Sequence, residues 1–380
     1  MDTAQNHPTP DNQRLLEDFL TLVQIDSPSY AEAQVVNWVS QALMTLGCQV
    51  YIDDTSEQTG SNSGNLIATL SATSGNTGRV FLSAHADTAQ PGNGVKPVIK
   101  DGIITSAGET VLGSDDKVGI AAIIETVRVL TESNADHPEV VILISVAEEE
   151  GLLGAQAMDA AAIGFAGEPC FVLDAGGAPG EVIIGAPFHI TYTAKINGKS
   201  AHAGVSPETG VSAIAVAAKA IAQMPQGRID SMTTANVGKI EGGSANNVVA
   251  DTCSISGEMR SLEQARLEAI REQIDSAIKT AAADAGAEVE VHYHQAYSGF
   301  KLDEDDSLVQ LVLDTAKELG LSAQASYTGG GSDANIFAGK GLNPVVLATG
   351  MTDVHSKDES LRVVDLQDLT RLIVAIVLKC

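Results

Sequence analysis

Nine residues of this sequence have side chains that can bind a metal ion and stand where a strand ends or a helix begins. They are His85, Asp87, Asp115, Asp116, Glu148, Glu149, Glu150, Asp174 and His355. In an α/β sheet, side chains beyond the carboxyl ends of the strands collect at one edge, so residues far apart in the chain can meet there. Two histidines and several carboxylates are the donors used by paired divalent ions that activate water for hydrolysis.

Each of these residues also has an ordinary structural explanation. His85 and Asp87 are two residues apart on one strand and share a face, so one can bind metal while the other orients it, or both can bond to loop backbone. Asp115 and Asp116 precede a helix, where N-capping is the competing explanation. The joint placement of all nine residues at element ends is what favours a metal site.

The remaining acidic residues also have ordinary structural explanations. A run such as Glu148–Glu150 is usually solvated, and an aspartate such as Asp174 before Ala175-Gly176-Gly177 often forms a turn. Both, however, follow apolar runs that are predicted to be strands, and the run before the glutamates is rich in β-branched residues. Their position therefore favours ligands over a solvated surface.

The elements that must position these residues alternate along the chain. Strands are predicted at 65–70, 79–84, 139–146, 170–173 and 344–348. Helices are predicted at 30–46, 116–130, 307–319 and 366–378, and Ser29 and Glu32 have the spacing of a capping box that begins the first of them. Strands separated by helices indicate a mixed, largely parallel sheet with helices on both faces, which is an α/β fold.

A different pattern occupies the middle of the chain. From about residue 187, predicted strands alternate apolar and polar residues, as in a sheet with one wet face. These strands cover 189–197, 233–240, 248–259 and 287–293, with helices at 211–224 and after Ser261. We therefore predict an α+β domain at 187–296, inserted into an outer domain made of residues 1–186 and 297–380.

Composition limits the function. The 380-residue chain carries 49 acidic and 22 basic residues, a formal net charge of −27, which argues against a nucleic-acid or anionic-membrane partner. No stretch approaches the ~20 apolar residues of a membrane span, and residues 1–13 do not resemble a secretory signal. Four widely spaced cysteines suit reduced thiols. These features predict a cytoplasmic protein.

Six motifs, in this order, resemble the dizinc exopeptidase family of peptidase T, glutamate carboxypeptidase and the acetylornithine and succinyl-diaminopimelate deacylases. The motifs are Ser83-Ala84-His85-Ala86-Asp87-Thr88, Gly113-Ser114-Asp115-Asp116-Lys117, Glu148-Glu149-Glu150-Gly151, Asp174, Gly198-Lys199-Ser200-Ala201-His202-Ala203-Gly204 and His355. The resemblance is greatest to peptidase T-like proteins and extends from Ile25 to His355. It implies a zinc-exopeptidase-like fold with an inserted lid domain.

The resemblance also implies a ligand set of five residues around two metal ions. His85 and Asp174 would bind one zinc, Glu149 and His355 the other, and Asp115 would bridge them.

Two further residues gain roles from the same comparison. Asp87 would support His85 from behind, and Glu148 would be the general base. A pair at 149 and 150 would also match the motif, but the spacing to Gly154-Ala155 favours Glu148 and Glu149.

In the inserted domain the resemblance implies substrate-binding residues. His202 would reach the substrate carbonyl and act in catalysis, while Asn247, or Asn246, and Arg260 would hold the substrate. Family lids also form homodimer contacts, so a loop histidine near a partner chain is the other explanation for His202.

The implied activity is hydrolysis of short peptides by water activated between two divalent ions, zinc or else cobalt or manganese. Asp174 at its ligand position favours removal of N-terminal residues, as in a tripeptidase-like aminopeptidase. The alternative is a carboxypeptidase or N-acyl-amino-acid deacylase, in which Arg260 would hold a substrate carboxylate. A metal-binding protein without catalysis is disfavoured, since Glu148 has no structural task. The sequence lacks a complete nucleophile elbow or a phosphate-binding loop.

Overall fold

The structure, a computed structural model, describes residues 8–380 as two compact units. Of the described residues, the outer unit comprises those up to Ile184 together with Leu302–Tyr327 and Ser332–Cys380. The inserted unit comprises Gly185–Lys301 and Thr328–Gly331. No helix among residues 8–380 is both long enough and apolar enough to cross a membrane.

The elements are numbered along the chain. The α-helices are α1 (Asn12–Val23), α2 (Ala33–Thr45), α3 (Ser56–Thr59), α4 (Ser114–Ser133), α5 (Leu153–Ala157), α6 (Ala160–Ile163), α7 (Ala213–Gln223), α8 (Gln264–Ala285), α9 (Ser307–Glu318), α10 (Asp333–Lys340) and α11 (Val363–Val377). The strands are β1 (Gln49–Ile52), β2 (Leu66–Leu70), β3 (Arg79–His85), β4 (Pro97–Lys100), β5 (Ile103–Ser106), β6 (Glu139–Ser145), β7 (Pro169–Ala175), β8 (Glu181–Ala186), β9 (Phe188–Asn197), β10 (Gly227–Asp230), β11 (Thr233–Gly242), β12 (Thr252–Ser261), β13 (Glu288–Tyr297), β14 (Phe300–Lys301), β15 (Gln324–Tyr327), β16 (Asn343–Ala348), β17 (Met351–Thr352) and β18 (Ser360–Arg362).

A nine-stranded mixed sheet carries the ligand candidates. Its order is β1-β2-β6-β3-β7-β16-β8-β14, and β15 also pairs with β8. The four adjacent strands β6, β3, β7 and β16 are parallel, whereas the strands on either side pair antiparallel. Strands β3 and β6 are buried on both faces after their first residue, as a covered parallel sheet requires. The predicted mixed sheet is confirmed.

Long, buried elements agree with the sequence prediction to within a few residues, but the predicted capping box ahead of α2 is wrong. Ser29 does not cap the helix; its Oγ donates to Asp87 at 2.8 Å. Glu32 is itself the N-cap residue, and its buried carboxylate accepts from the backbone of Tyr30 and of Ala147, both at 2.9 Å. Both side chains thus support the loops at the sheet edge.

The inserted unit contains a five-stranded antiparallel sheet in the order β10-β11-β12-β9-β13. Ile190, Tyr192, Ala194 and Ile196 of β9 are buried and pack in one cluster with residues of α7 and α8. The predicted alternation of this strand is confirmed. Strand β12, however, begins at Thr252 rather than at residue 248.

A small four-stranded sheet in the order β17-β18-β5-β4 was not predicted. Its strands are two to four residues long, too short for a periodic pattern. It nevertheless matters for the site, because His355 lies in the turn between β17 and β18.

A buried carboxylate joins the first helix to the long helix α4. Glu125 is 0% exposed and accepts from the backbone of Asp11 at 2.8 Å and from Nε and Nη2 of Arg14 at 2.9 and 2.8 Å. Arg14 also pairs with Glu132, which is 59% exposed. The two glutamates therefore bind the same arginine in different surroundings.

We expect Glu125→Gln to lower the free energy of unfolding by about 2–3 kcal/mol, because it weakens charge-assisted bonds that are shielded from water. The matched variant Glu132→Gln should cost less than about 1 kcal/mol, since exposed pairs are screened. Urea unfolding of both variants, followed by circular dichroism, measures the difference. Equal losses in the two variants would contradict this account of the buried contact.

Candidate metal centre

The first two ligand candidates come from adjacent parallel strands. His85 is the last residue of β3, and Asp174 lies near the end of β7. Nε2 of His85 is 4.0 Å from Oδ1 of Asp174. Because β3 and β7 are parallel neighbours, their carboxyl ends bring together two residues that are far apart in sequence.

Asp115 lies between the two histidines. Its Oδ1 is 3.0 Å from Nε2 of His85, and its Oδ2 is 3.1 Å from Nε2 of His355. One oxygen of a single carboxylate thus faces each imidazole. A carboxylate placed in this way can bridge two ions, each of which also binds one histidine.

The glutamate run completes this cluster. Oε1 of Glu149 is 2.9 Å from Nε2 of His355, and donor atoms of Glu149, Asp115 and His85 lie within 4.8 Å of one another. Glu148 is buried, whereas Glu150 is exposed, with its carboxylate 3.5 Å from the Tyr30 hydroxyl. The run therefore turns two of its side chains inward and the third to solvent.

Asp87 organises the surrounding loops. Its carboxylate accepts from the backbone N–H groups of Glu148 at 2.9 Å and Glu149 at 3.2 Å, and from the Ser29 hydroxyl at 2.8 Å. Its Oδ1 also lies 3.5 Å from Nδ1 of His85. One buried side chain thus orients a histidine on β3 and the start of the glutamate run after β6.

Asp116 is outside the ligand set implied by the family resemblance, but the structure places it in the same cluster. Its Oδ2 accepts from the backbone of His85 and its Oδ1 from that of Gly119, both at 3.2 Å. Donor atoms of Asp116, His85 and Asp174 also lie within 4.8 Å of one another. A Cβ on Gly119 would stand 2.6 Å from Oδ1 of Asp116, so the glycine makes room for this carboxylate. The double aspartate was the available sequence signal.

Burial and mutual repulsion shift the pKa values of these groups. Burial, and then the charge of Asp174, raises the pKa of Glu148 and of Asp116 well above the usual range. Burial, and then the charge of Asp115, does the same for the pKa of Asp174. Burial opposes ionisation of Asp115, but bonds with His355 and His85 bring its pKa below the usual value. The cluster therefore concentrates more negative charge than its histidines neutralise.

These residues fit divalent metal ions. Two imidazoles and several carboxylates converge with donor atoms close enough to share ions, and carboxylates buried together require a compensating cation. Divalent ions with nitrogen and oxygen ligands supply that charge.

The inserted unit holds the remaining predicted residues. The exposed His202 pairs with Val248 in an isolated bridge, and its Nδ1 accepts from the backbone of Gly204 at 3.1 Å. The backbone of Ala203 donates to the carbonyl of Asn247 at 2.9 Å. The structure thus brings the His202 loop beside Asn247 and its neighbour Asn246, both exposed.

Arg260 lies on β12 of the same unit, with its guanidinium held by neighbours. Nε and Nη2 each donate to the Glu258 carboxylate at 3.0 Å, and Nη1 donates to the carbonyl of Gly329 at 3.3 Å and to the Tyr297 hydroxyl at 3.4 Å. The pKa of Glu258 falls to about 2, chiefly because of its bond with His189 and then because of Arg260.

Comparison with known proteins agrees with this architecture. The profile of peptidase family M28 matches residues 65–183, and that of the peptidase dimerisation domain matches residues 185–286. The chain is 43% identical to the uncharacterized protein YqjE of Bacillus subtilis over 96% of this chain and 98% of that protein.

Two crystal structures are similar over nearly the whole chain. Aminopeptidase PepT from Bacillus cereus is 42% identical, with a TM-score of 0.92 over 97% of this chain and 99% of that one. A tripeptidase from Staphylococcus aureus is 36% identical, with a TM-score of 0.93 over 97% and 98%. Fold, site and matches together define a metallopeptidase that uses divalent metal ions. The chain belongs to the peptidase T-like family, which confirms the predicted relationship.

The pKa values predict how pH acts on protein treated with a chelator. Bonds to Asp115 and then Glu149 raise the pKa of His355 to about 10. The stability contributed by protonated His355 is fully present below its unfolded pKa of about 6.5 and is lost as pH rises through about 10. The raised pKa values of Glu148 and Asp174 act in the same direction, because these groups must ionise in a crowded site.

We therefore expect the melting temperature of chelator-treated protein to fall between about pH 7 and 10, and to fall less in metal-loaded protein. Differential scanning fluorimetry across this range, with and without chelator, measures both slopes. In chelator-treated His355→Gln the slope should be shallower. Identical slopes with and without metal would contradict the prediction.

Proposed function

We propose that this protein is a dizinc aminopeptidase that removes N-terminal residues from short peptides, tripeptides in particular. The observation that carries the proposal is the Asp115 carboxylate, with one oxygen facing His85 and the other facing His355. Similarity to the aminopeptidase of Bacillus cereus and the tripeptidase of Staphylococcus aureus supports the substrate class. Free cysteines at all four positions are consistent with the proposed cytoplasmic location.

In the proposed centre, His85 and Asp174 would hold one ion, Glu149 and His355 would hold the second, and Asp115 would contribute to both. Zinc suits this donor set, and cobalt or manganese suits it as well. When bound, the ions supply Lewis acidity that lowers the pKa of water and polarises the scissile carbonyl.

Glu148 is the proposed general base. Its side chain is buried, and its backbone N–H donates to Asp87. Burial, and then the charge of Asp174, raises its pKa well above the usual range, which is the direction that suits a carboxylate acting as a general base and acid. It takes a proton from the attacking water, whose oxygen bonds to the carbonyl carbon. When the C–N bond breaks, Glu148 returns the proton to the leaving nitrogen. Asp87 contributes by fixing the backbone of this residue and the ring of His85.

The inserted unit supplies the proposed substrate contacts. His202 donates to the developing oxyanion, while Asn247 or Asn246 and Arg260 hold the peptide. Glu258 keeps the Arg260 guanidinium in one orientation through two hydrogen bonds. The match to a dimerisation domain supports a homodimer formed through this unit.

The proposed specificity predicts that a free N-terminus is required. Chelated protein reloaded with zinc, cobalt or manganese should cleave the first bond of a tripeptide. The N-acetylated form of the same peptide should show kcat/KM lower by at least roughly 10²-fold, because a site built for an ammonium group leaves its partners unpaired. Mass spectrometry of the products measures both. Preferential hydrolysis of N-acetyl amino acids would instead establish the deacylase alternative.

The glutamate run provides a matched set of three variants. Glu148→Gln should keep two metal ions per chain while kcat falls roughly 10²–10⁴-fold, the usual contribution of a general acid–base group. Glu149→Gln should lose metal, and the exposed Glu150→Gln should retain both metal and activity. Metal analysis and steady-state kinetics on the three variants decide the assignment. If Glu149→Gln and Glu150→Gln show the first two phenotypes, the roles shift by one residue.

A further inference from the structure

Glu359 is a buried carboxylate outside the proposed ligand set. It is 1% exposed, and it accepts three hydrogen bonds from Gly113 and the first two residues of α4. Its Oε2 accepts from the backbone of Gly113 at 2.9 Å, and its Oε1 accepts from the Ser114 hydroxyl at 2.5 Å and from the backbone of Asp115 at 3.2 Å. It therefore holds the main chain of the residue that lies between the two histidines.

Glu359 is also connected to the metal-ligand cluster through its own loop. Glu359 follows His355 by four residues in the turn between β17 and β18, and its N–H donates to the carbonyl of Ser356 at 3.3 Å. His355 in turn contacts the side chain of Asp115. The side chains of His355 and Asp115, the backbone of Asp115 and the carboxylate of Glu359 thus form a closed ring of contacts. These contacts link the two proposed ligands Asp115 and His355.

Local sequence explains why this carboxylate comes from elsewhere in the chain. The backbone at Asp115 and Asp116 is not helical, with ψ of 104° and 36°, so the regular turns of α4 begin after Asp116. The N–H groups of Gly113 and Asp115 therefore have no place in the hydrogen-bond ladder of the helix and need another acceptor. Both oxygens of the Asp115 side chain face imidazoles, and Glu359 accepts from these two N–H groups instead. The buried Lys117 of the same motif balances part of this charge, with its Nζ bound to the carbonyl of Ile25 at 2.7 Å.

We propose that Glu359 is a positioning residue of the metal centre: it fixes the Asp115 carboxylate relative to His355 and so sets the affinity for metal. The inference rests on the proposed function, since it takes Asp115 and His355 as ligands. A residue that merely capped a helix would affect stability but not metal binding. The two roles therefore differ in a measurable way.

The test compares Glu359→Gln with Glu125→Gln. Both carboxylates are fully buried and accept bonds from backbone and side chain, but Glu125 binds α1 instead of the ligand loop. We expect Glu359→Gln to bind zinc roughly 10–100-fold more weakly in chelator competition, the usual effect of losing a residue that supports ligands. The rise in melting temperature on adding zinc should shrink in parallel. Glu125→Gln should retain the wild-type zinc affinity and zinc-induced shift.

Unchanged zinc affinity in folded Glu359→Gln would overturn the inference. If that variant does not fold, Ser114→Ala decides, because it removes one of the three bonds: affinity lower by roughly 3–10-fold supports the inference and wild-type affinity overturns it. Wild-type protein is measured alongside. Failure of the wild type to bind two ions would overturn the proposed function itself, an outcome distinct from failure of the Glu359 inference.

Discussion

Repulsion between buried carboxylates is the constraint on which the outer unit depends. Acidic side chains meet at the carboxyl ends of four parallel strands. They fall into two groups, which differ in their hydrogen-bond partners. Asp87 and Glu359 accept from backbone N–H groups, which satisfy their charge locally. Asp174 and Glu148 instead have pKa values raised by burial and by neighbouring charges. The first group holds loops in place, and the second leaves negative charge for cations.

Connections between distant segments keep this arrangement rigid. Asp87 on the loop after β3 binds the loop after β6, Glu32 at the start of α2 binds that same loop at Ala147, and Glu359 binds the start of α4. The backbone itself bends sharply here: Ala147 and His355 have φ of 50° and 61°, values that residues other than glycine adopt uncommonly. Such conformations persist only where the surrounding contacts hold them in place. Here the hydrogen bonds of the buried carboxylates provide those contacts.

The sequence predicted the elements that a local pattern determines and the meeting of strand ends at one edge of the sheet. Buried β-branched runs located β3, β6 and β7, and their order as parallel neighbours brought His85 and Asp174 together. It could not predict contacts between residues far apart in the chain. Ser29 has the spacing of a helix cap, yet its hydroxyl binds Asp87, 58 residues away. Glu359 binds Gly113 across 246 residues, and the strands flanking His355 are two and three residues long.

The strand order of the large sheet also determines when that sheet can be completed during synthesis. Strand β16 lies between β7 and β8 but is translated only after the whole inserted unit. Until it emerges, the edges of β7 and β8 that it will cover are open to pairing with other chains, while the inserted unit can already fold. His355 emerges later still. The final segment of the chain therefore closes the sheet and contributes the second imidazole, so a nascent or truncated chain has neither a finished core nor both histidines.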